Sequence, residues 1–129
     1  MAHSGDVFLY AVSLGRTVGV DVERKKEGLD VEAIARRYFA PEEARRLLEQ
    51  APPEERVPNF YRCWTRKEAY LKARGTGLTT RLDAFEVTFL PDVPPALLRT
   101  EVDGEDPTVW QIFDVPVPDG YVAALVVRR

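Results

Sequence analysis

The segment from Val57 to Arg74 constrains the fold most, because it has the pattern of a long helix with charges on its apolar side. At about 100° per residue, its large apolar side chains form one arc, as in a helix that packs on a core. Gly75 follows directly, where a left-handed glycine commonly ends a helix. The arc consists of Phe60, Cys63, Trp64, Tyr70 and Leu71, and the opposite side of Thr65, Arg66, Ala69 and Ala73.

Charged residues lie where this helix should be apolar. Lys67 falls in the middle of the arc, and Glu68 and Lys72 lie on its margin beside Trp64. Burying an unpaired ammonium or carboxylate costs several kcal/mol, so these groups need partners. The long stem of Lys67 can carry its ammonium to solvent, whereas the stem of Glu68 is too short for that. We therefore expect a functional role for Glu68.

A second unusual pattern lies on a predicted strand near the N-terminal end. Valine occupies alternate positions from Val18 to Val22, so Asp21 and Glu23 share the other face, on which Gly19 leaves room beside them. Neighbouring like charges destabilise a strand, and a bound cation would reverse the sign of that effect. The alternative is a strand end that runs into a charged loop, and the spacing alone leaves both interpretations open.

The rest of the chain predicts an α+β fold: an antiparallel sheet with about three helices packed on one face, in a single domain over residues 1–129. The apolar run Asp6–Ser13 predicts a strand buried on both faces, followed by a hairpin turn at Leu14–Arg16. Its abrupt start predicts that a segment upstream was lost or is supplied by another chain. Further helices are predicted over Val31–Tyr38 and Pro41–Gln50, and further strands over Ala84–Leu90, Leu97–Val102, Thr108–Val115 and Tyr121–Arg128.

Composition excludes several classes of function. The net charge of −3 argues against general nucleic-acid binding, and the apolar runs are too short to span a bilayer. The sequence shows no secretory signal, and its one cysteine, Cys63, excludes an internal disulfide, so we expect a cytoplasmic protein with a buried, inert thiol. Five basic residues between Arg62 and Arg74 suggest a specific anionic partner, with a solvated helix face as the alternative.

The residue types at these positions predict magnesium chemistry. Asp21, Glu23 and Glu68 offer carboxylate oxygens, and the sequence has no cluster of cysteine and histidine, which favours Mg²⁺ over zinc or copper. Lys67 and Lys72 flank the third carboxylate and suit a phosphoryl group and a leaving phosphate. The residues alone thus predict a magnesium-dependent enzyme that acts on a phosphate ester or anhydride.

The same residues carry a family resemblance. Val18–Glu23 (VGVDVE), followed by Trp64–Lys72 (WTRKEAYLK), resembles the paired signature of the 4′-phosphopantetheinyl transferase superfamily. The resemblance covers nearly the whole chain and implies transfer of the phosphopantetheine arm of coenzyme A to a serine of an acyl or peptidyl carrier protein, releasing 3′,5′-ADP. Lesser similarities to the surfactin-synthetase-type branch lie at His3–Gly5, at Arg37–Phe39 with Glu43, and at Gly75–Leu78.

The resemblance also implies roles for individual residues. Asp21, Glu23 and Glu68 would hold Mg²⁺ against the pyrophosphate of coenzyme A, and Glu68 would help to deprotonate the attacking serine. Lys72 would stabilise the developing charge or protonate the leaving phosphate.

Three residues are expected to contact coenzyme A by the same resemblance: His3, Lys67 and Lys72. Surfactin-synthetase-type enzymes consist of two similar halves, and this chain resembles the second half. Holo-acyl-carrier-protein synthases have chains of this length and build their sites between subunits. We therefore expect a homo-oligomer, a dimer or a trimer, whose site a neighbouring subunit completes. The alternatives are a half-length homologue that binds coenzyme A or carrier protein without transfer, and an unrelated magnesium-dependent phosphoesterase.

Overall fold

Helix α3, Arg56–Arg74, is the central element of the structure, a computed structural model that describes residues 1–11, 15–75, 80–101 and 105–129. It confirms the predicted helix to within one residue. At its C-terminal end Gly75 has a left-handed backbone with φ of 74°, and its N–H donates to the carbonyl oxygens of Leu71 and Lys72. This cap satisfies carbonyl groups that the end of a helix leaves without partners.

A three-stranded antiparallel sheet lies against α3, in the order β3, β7, β6. Its strands are β3 (Val18–Arg24), β7 (Tyr121–Arg128) and β6 (Trp110–Asp114). Asp21 lies opposite Ala124, which is opposite Asp114, so these three residues share one face. The helix covers this face.

The side of α3 that meets the sheet carries small residues and comes very close to β3. A Cβ atom at Gly19 would lie 2.3 Å from both the carbonyl oxygen of Ala69 and the amide nitrogen of Ala73. The side of the helix that the sequence placed opposite the apolar arc is therefore buried as well. Periodicity of large residues missed this side, because close backbone approach requires small residues rather than large ones.

The apolar arc of α3 faces the remaining helices and a separate β-hairpin. Helix α1 (Val31–Tyr38) begins at Asp30, whose Oδ1 accepts from the amide of Ala33 at 3.1 Å. Helix α2 (Pro41–Arg45) continues as one π-helical turn over Arg46–Gln50. The hairpin consists of β4 (Phe85–Val87) and β5 (Leu97–Thr100), and short 3₁₀ turns lie at Pro53–Glu55, Leu82–Ala84 and Pro107–Val109.

The N-terminal residues form a small hairpin on the other face of the sheet. Strands β1 (Ala2–Ser4) and β2 (Val7–Leu9) pair with each other, and Ala2 packs with the valines of β3. The prediction of a strand over Asp6–Ser13 buried on both faces is wrong, because Phe8 is 58% exposed and Tyr10 is 75% exposed. An apolar run predicts burial, but in the described residues no layer covers the outer side of this one.

The α+β class is confirmed, because the described residues form antiparallel sheets and three α-helices. The predicted turn at Leu14–Arg16 and the end of the predicted strand at Val102 lie partly outside the described residues. Cys63 is buried as predicted, and burial raises the pKa of its thiol well above the usual range. No helix in the described ranges is both long and apolar enough to cross a membrane.

We expect Gly19→Ala to lower the free energy of unfolding by about 3 kcal/mol or more, because the new methyl group would overlap the backbone of α3. Gly15→Ala is the matched control: no atom of the described residues lies within 4 Å of its Cβ position, so its positive φ of 75° should cost about 1 kcal/mol. Urea denaturation of both variants measures the difference. Equal losses would show that the close approach of β3 and α3 is not tight.

Candidate functional site

Asp21 is a carboxylate buried between β3 and α3. Its side chain is 5% exposed, and its Oδ1 accepts a hydrogen bond from Lys72 Nζ at 2.8 Å. The second oxygen, Oδ2, is buried and has no hydrogen-bond partner in the part of the chain that the structure describes. A buried carboxylate oxygen without a partner is costly and is a candidate ligand atom.

Glu23 and Glu68 complete a group of carboxylates with Asp21. Burial raises the pKa of Asp21 to about 7; the hydrogen bond and charge of Lys72 oppose this rise, and the charges of Glu23 and Glu68 add to it. Burial also raises the pKa of Glu68, with Lys72 opposing and Glu23 adding. The three carboxylates therefore lie within electrostatic reach of one another, with one ammonium among them.

Asp21, Glu23, Glu68 and Lys72 are brought together by their spacing along β3 and α3 and by the close packing of these two elements. Asp21 and Glu23 share a face of β3, whereas Glu68 and Lys72 lie one turn apart on the same side of α3. The absence of a side chain at Gly19 sets the small distance between the strand and the helix. The structure thus joins the two stretches on which the predicted metal site depends.

Lys67 lies elsewhere, and this is a correction to its expected position. Its side chain is 0% exposed, and its Nζ donates to Glu43 Oε1 at 2.5 Å and to the carbonyl oxygen of Phe85 at 2.6 Å. With these partners the ammonium of Lys67 points into the core, and its expected contact with coenzyme A stays a prediction. The long stem that could have reached solvent points inward, because Glu43 offers it a buried carboxylate.

His3 is exposed on β1, and its ring is stacked on Phe8 with 5.3 Å between the ring centroids. Ala2 beside it packs on the face of the sheet that carries Val20 and Val22, opposite to the face of Asp21. The described contacts join His3 to none of the three carboxylates. Its expected contact with coenzyme A stays a prediction.

Comparisons with known proteins identify the family. Residues 17–126 match the 4′-phosphopantetheinyl transferase superfamily. The chain belongs to this superfamily. It is 36% identical to the 4′-phosphopantetheinyl transferase HetI of Nostoc sp. over 98% of this chain and 50% of HetI. In structure it is similar to Thermotoga maritima holo-[acyl-carrier-protein] synthase, with a TM-score of 0.66 and 25% identity over 88% of this chain and 63% of that chain.

Two further comparisons define the extent of the likeness. The fold is shared with a Chronobacterium ammoniagenes ACPS–CoA complex, with a TM-score of 0.57 and 21% identity over 89% of this chain and 98% of that one. The chain spans about half the length of the curated relatives it matches, 50% of one and 46% of another. The remaining half of each of those relatives lies outside the matched region.

The carboxylates of this superfamily member fit a hard cation in their chemistry. The described residues contain no group of three or more His, Cys, Asp or Glu side chains whose present positions could hold a metal ion. The free Oδ2 of Asp21, together with the nearby carboxylates of Glu23 and Glu68, supplies the oxygen donors that Mg²⁺ prefers. Three side chains would complete only part of an octahedron, which leaves positions for water and phosphate oxygens.

A cleft of about 220 Å³ opens beside Glu23, between the end of β3, α1 and α3. Trp64, one turn before Glu68, forms part of its wall. Tyr61 lies in the same wall, and its hydroxyl accepts from the amide of Lys26 at 3.0 Å. The sequence pattern did not single out Tyr61 or Lys26, because only the fold brings the loop after β3 onto α3.

Sequence reasoning also missed Glu43 as the partner of Lys67. A glutamate in the first turn of a helix is ordinary, since it is favourable near the positive end of the helix dipole. The need of Lys67 for a buried partner was evident from the apolar arc, but periodicity could not say which of the carboxylates would supply it.

The raised pKa of Asp21 predicts the pH dependence of stability. Because Asp21 loses its proton near pH 4 in the unfolded chain and near pH 7 in the folded one, the folded state binds more protons in between. Stability should fall as pH rises from about 4 to about 7, by up to about 4 kcal/mol. Asp21→Asn should make this fall smaller, with Glu68 still contributing in the same direction, and Lys72→Met should extend the fall to higher pH. Urea denaturation across this range checks both, and an unchanged slope in Asp21→Asn would contradict the assignment.

Proposed function

We propose that the chain transfers the 4′-phosphopantetheine arm of coenzyme A to a serine of an acyl or peptidyl carrier protein, with Mg²⁺, and releases 3′,5′-ADP. Membership of the superfamily supports this reaction. The observation that carries it is the convergence of Asp21, Glu68 and Lys72 between β3 and α3. An ACPS–CoA complex that shares the fold supports coenzyme A as the substrate.

In this proposal Asp21, Glu23 and Glu68 hold the metal. Bound Mg²⁺ would neutralise charge on the pyrophosphate of coenzyme A and on the leaving phosphate. Burial keeps Asp21 and Glu68 poorly solvated, so a divalent cation would relieve the repulsion among these carboxylates. A bound cation should therefore stabilise these carboxylates more than it would stabilise exposed ones.

Glu68 and Lys72 carry the proton and charge changes of the transfer. Burial raises the pKa of Glu68, which makes its carboxylate a better acceptor for the serine proton. As the serine oxygen bonds to phosphorus, the bond from phosphorus to the bridging oxygen of the pyrophosphate breaks, and negative charge develops on that oxygen. Lys72 is 43% exposed at its side chain and can stabilise this charge or donate a proton to it.

The exposed apolar residues of the N-terminal hairpin support self-association. Phe8 and Tyr10 are exposed, and next to Tyr10 the sheet face opposite α3 has a cleft of about 420 Å³ lined by apolar side chains such as Leu125 and Val127. Because this face is apolar and exposed, we propose that a second copy of this chain covers it. We also propose a cytoplasmic location and a role in fatty acid or polyketide biosynthesis.

A second candidate function is binding of coenzyme A or carrier protein without transfer. The extent of the match supports it, because the relatives named as transferases are matched over only about half of their own length. The two functions differ in whether the carrier gains mass.

We expect the purified chain, coenzyme A and Mg²⁺ to add one phosphopantetheine group to an apo carrier protein, seen as a mass increase of the carrier. Glu68→Gln should slow this transfer by about 100-fold or more, because it removes a proton acceptor and a metal ligand. Glu54→Gln, at an exposed position on another element, is the control and should transfer at the wild-type rate. Coenzyme A binding without any mass gain would favour the second candidate.

Sedimentation equilibrium should show a dimer or a trimer. Tyr10→Glu should shift the mass toward the monomer, since it places a charge on the apolar face opposite α3. Tyr38→Glu changes an exposed tyrosine of α1 in the same way and should leave the mass unchanged. A monomer at every concentration would contradict self-association through this face.

A further inference from the structure

Glu43 and Lys67 form an ion pair that is fully enclosed in the interior of the chain. Both side chains are 0% exposed, and they lie 2.5 Å apart from oxygen to nitrogen. Lys67 immediately precedes Glu68, but the two side chains leave the helix in directions about 100° apart. One residue therefore faces the core while the next faces the candidate site.

The pair ties three elements together with directed contacts. Glu43 Oε1 also accepts from the amide of Ala40 at 3.0 Å, and its Oε2 accepts from the amide of Val87 at 2.8 Å. Lys67 Nζ donates to the carbonyl oxygen of Phe85 and lies 4.2 Å from the centroid of the Phe85 ring. Helix α3 is thereby joined to the start of α2 and to β4 by hydrogen bonds, which depend strongly on the direction of donor and acceptor.

A contribution to stability alone does not explain such a pair. The desolvation of two charges offsets most of their attraction, and apolar replacements of a buried pair are often as stable or more stable. What apolar residues lack is direction, because their packing tolerates small rotations that hydrogen bonds do not. The pair is therefore suited to fixing an orientation.

The orientation at stake is the rotation of α3 about its own axis. A helix moves as a rigid unit, so a rotation that carried Glu68 and Lys72 away from Asp21 would also pull Lys67 away from Glu43. On the sheet side, the close contact with Gly19 limits how far α3 can shift, and Arg66 donates a hydrogen bond to Asp114 at 2.8 Å. On the side of α2, the pair of Lys67 and Glu43 provides a directed contact between buried groups.

We propose that Glu43 and Lys67 are positioning residues for the carboxylate site: their buried pair sets the rotation of α3, and thus the places of Glu68 and Lys72, and Lys67 does not contact coenzyme A. What Glu68 and Lys72 then do rests on the proposed function. The proposal also gives a role to Glu43, which the sequence had marked only by family resemblance.

Four variants test the proposal: Lys67→Met, Glu43→Gln, the double variant of both, and Leu97→Ala. The single variants leave one buried charge without its partner, whereas the double variant leaves none, so the double variant should be more stable than either. Leu97→Ala makes a cavity in strand β5 and is the control for loss of stability without loss of the pair. All measurements are made where circular dichroism shows each variant to be folded.

The first readout needs neither metal nor substrate. Nuclear Overhauser effects between the α-protons of Gly19 and the amide proton of Ala73 should be strong in the wild type, because the two residues are in contact. They should weaken in both single variants and in the double variant, but not in Leu97→Ala. Unchanged effects in Lys67→Met would overturn the proposal, and so would a double variant that regains both its stability and the wild-type effects.

The second readout is the affinity for Mn²⁺, measured by electron paramagnetic resonance without coenzyme A. Loss of the pair should weaken the Mn²⁺ affinity about 10-fold or more in both single variants and in the double variant. Leu97→Ala should stay within about twofold of the wild type. Coenzyme A affinity without divalent ions should change to the same extent in Lys67→Met and Glu43→Gln, because loss of either partner displaces Lys72 in the same way. A selective loss in Lys67→Met would overturn the proposal by making Lys67 a coenzyme A contact. If the wild type binds no Mn²⁺, the proposed function fails, and the first readout still decides the positioning role.

Discussion

The close approach of α3 to β3 is the constraint on which the rest of the structure depends. Only a glycine at position 19 lets the backbone of the helix lie directly on the strand, with Ala69 and Ala73 as the facing residues. At this separation the short side chain of Asp21 meets Lys72 at hydrogen-bond distance. A strand displaced by the width of one methyl group would move Asp21 away from Lys72 and Glu68.

Adjacent residues of α3 divide the charges of the chain into two kinds of environment. The pair of Lys67 and Glu43 is enclosed, and the described contacts satisfy its groups. The group that includes Asp21 and Glu68 lies at the edge of the core, with an excess of negative charge and an unpartnered oxygen. The charges of the first arrangement compensate each other, whereas an added cation would stabilise the second arrangement by reducing the repulsion among its carboxylates.

Sequence patterns predicted the elements that carry local information. The length of α3, its glycine cap and the shared face of Asp21 and Glu23 follow from periods of 3.6 and 2 residues. The patterns failed where the burial of a side chain depends on which other element packs against its own. They did not show that Thr65 is buried against the sheet, or that the stem of Lys67 turns inward to Glu43. They also predicted burial for Tyr10, because an apolar run looks the same whether or not another layer covers it. The proximity of Asp21 to Glu68 was expected from family resemblance rather than from any pattern within the chain.

The order of strands has a consequence for synthesis of the chain. Strand β3, which carries Asp21, is an edge strand of its sheet and pairs along its whole length with β7, Tyr121–Arg128. Translation therefore produces the first two carboxylates about 100 residues before the strand that fixes their backbone. Because β7 pairs with β3 along its whole length and also packs on α3, the carboxylate site cannot take its final geometry before β7 has been synthesised.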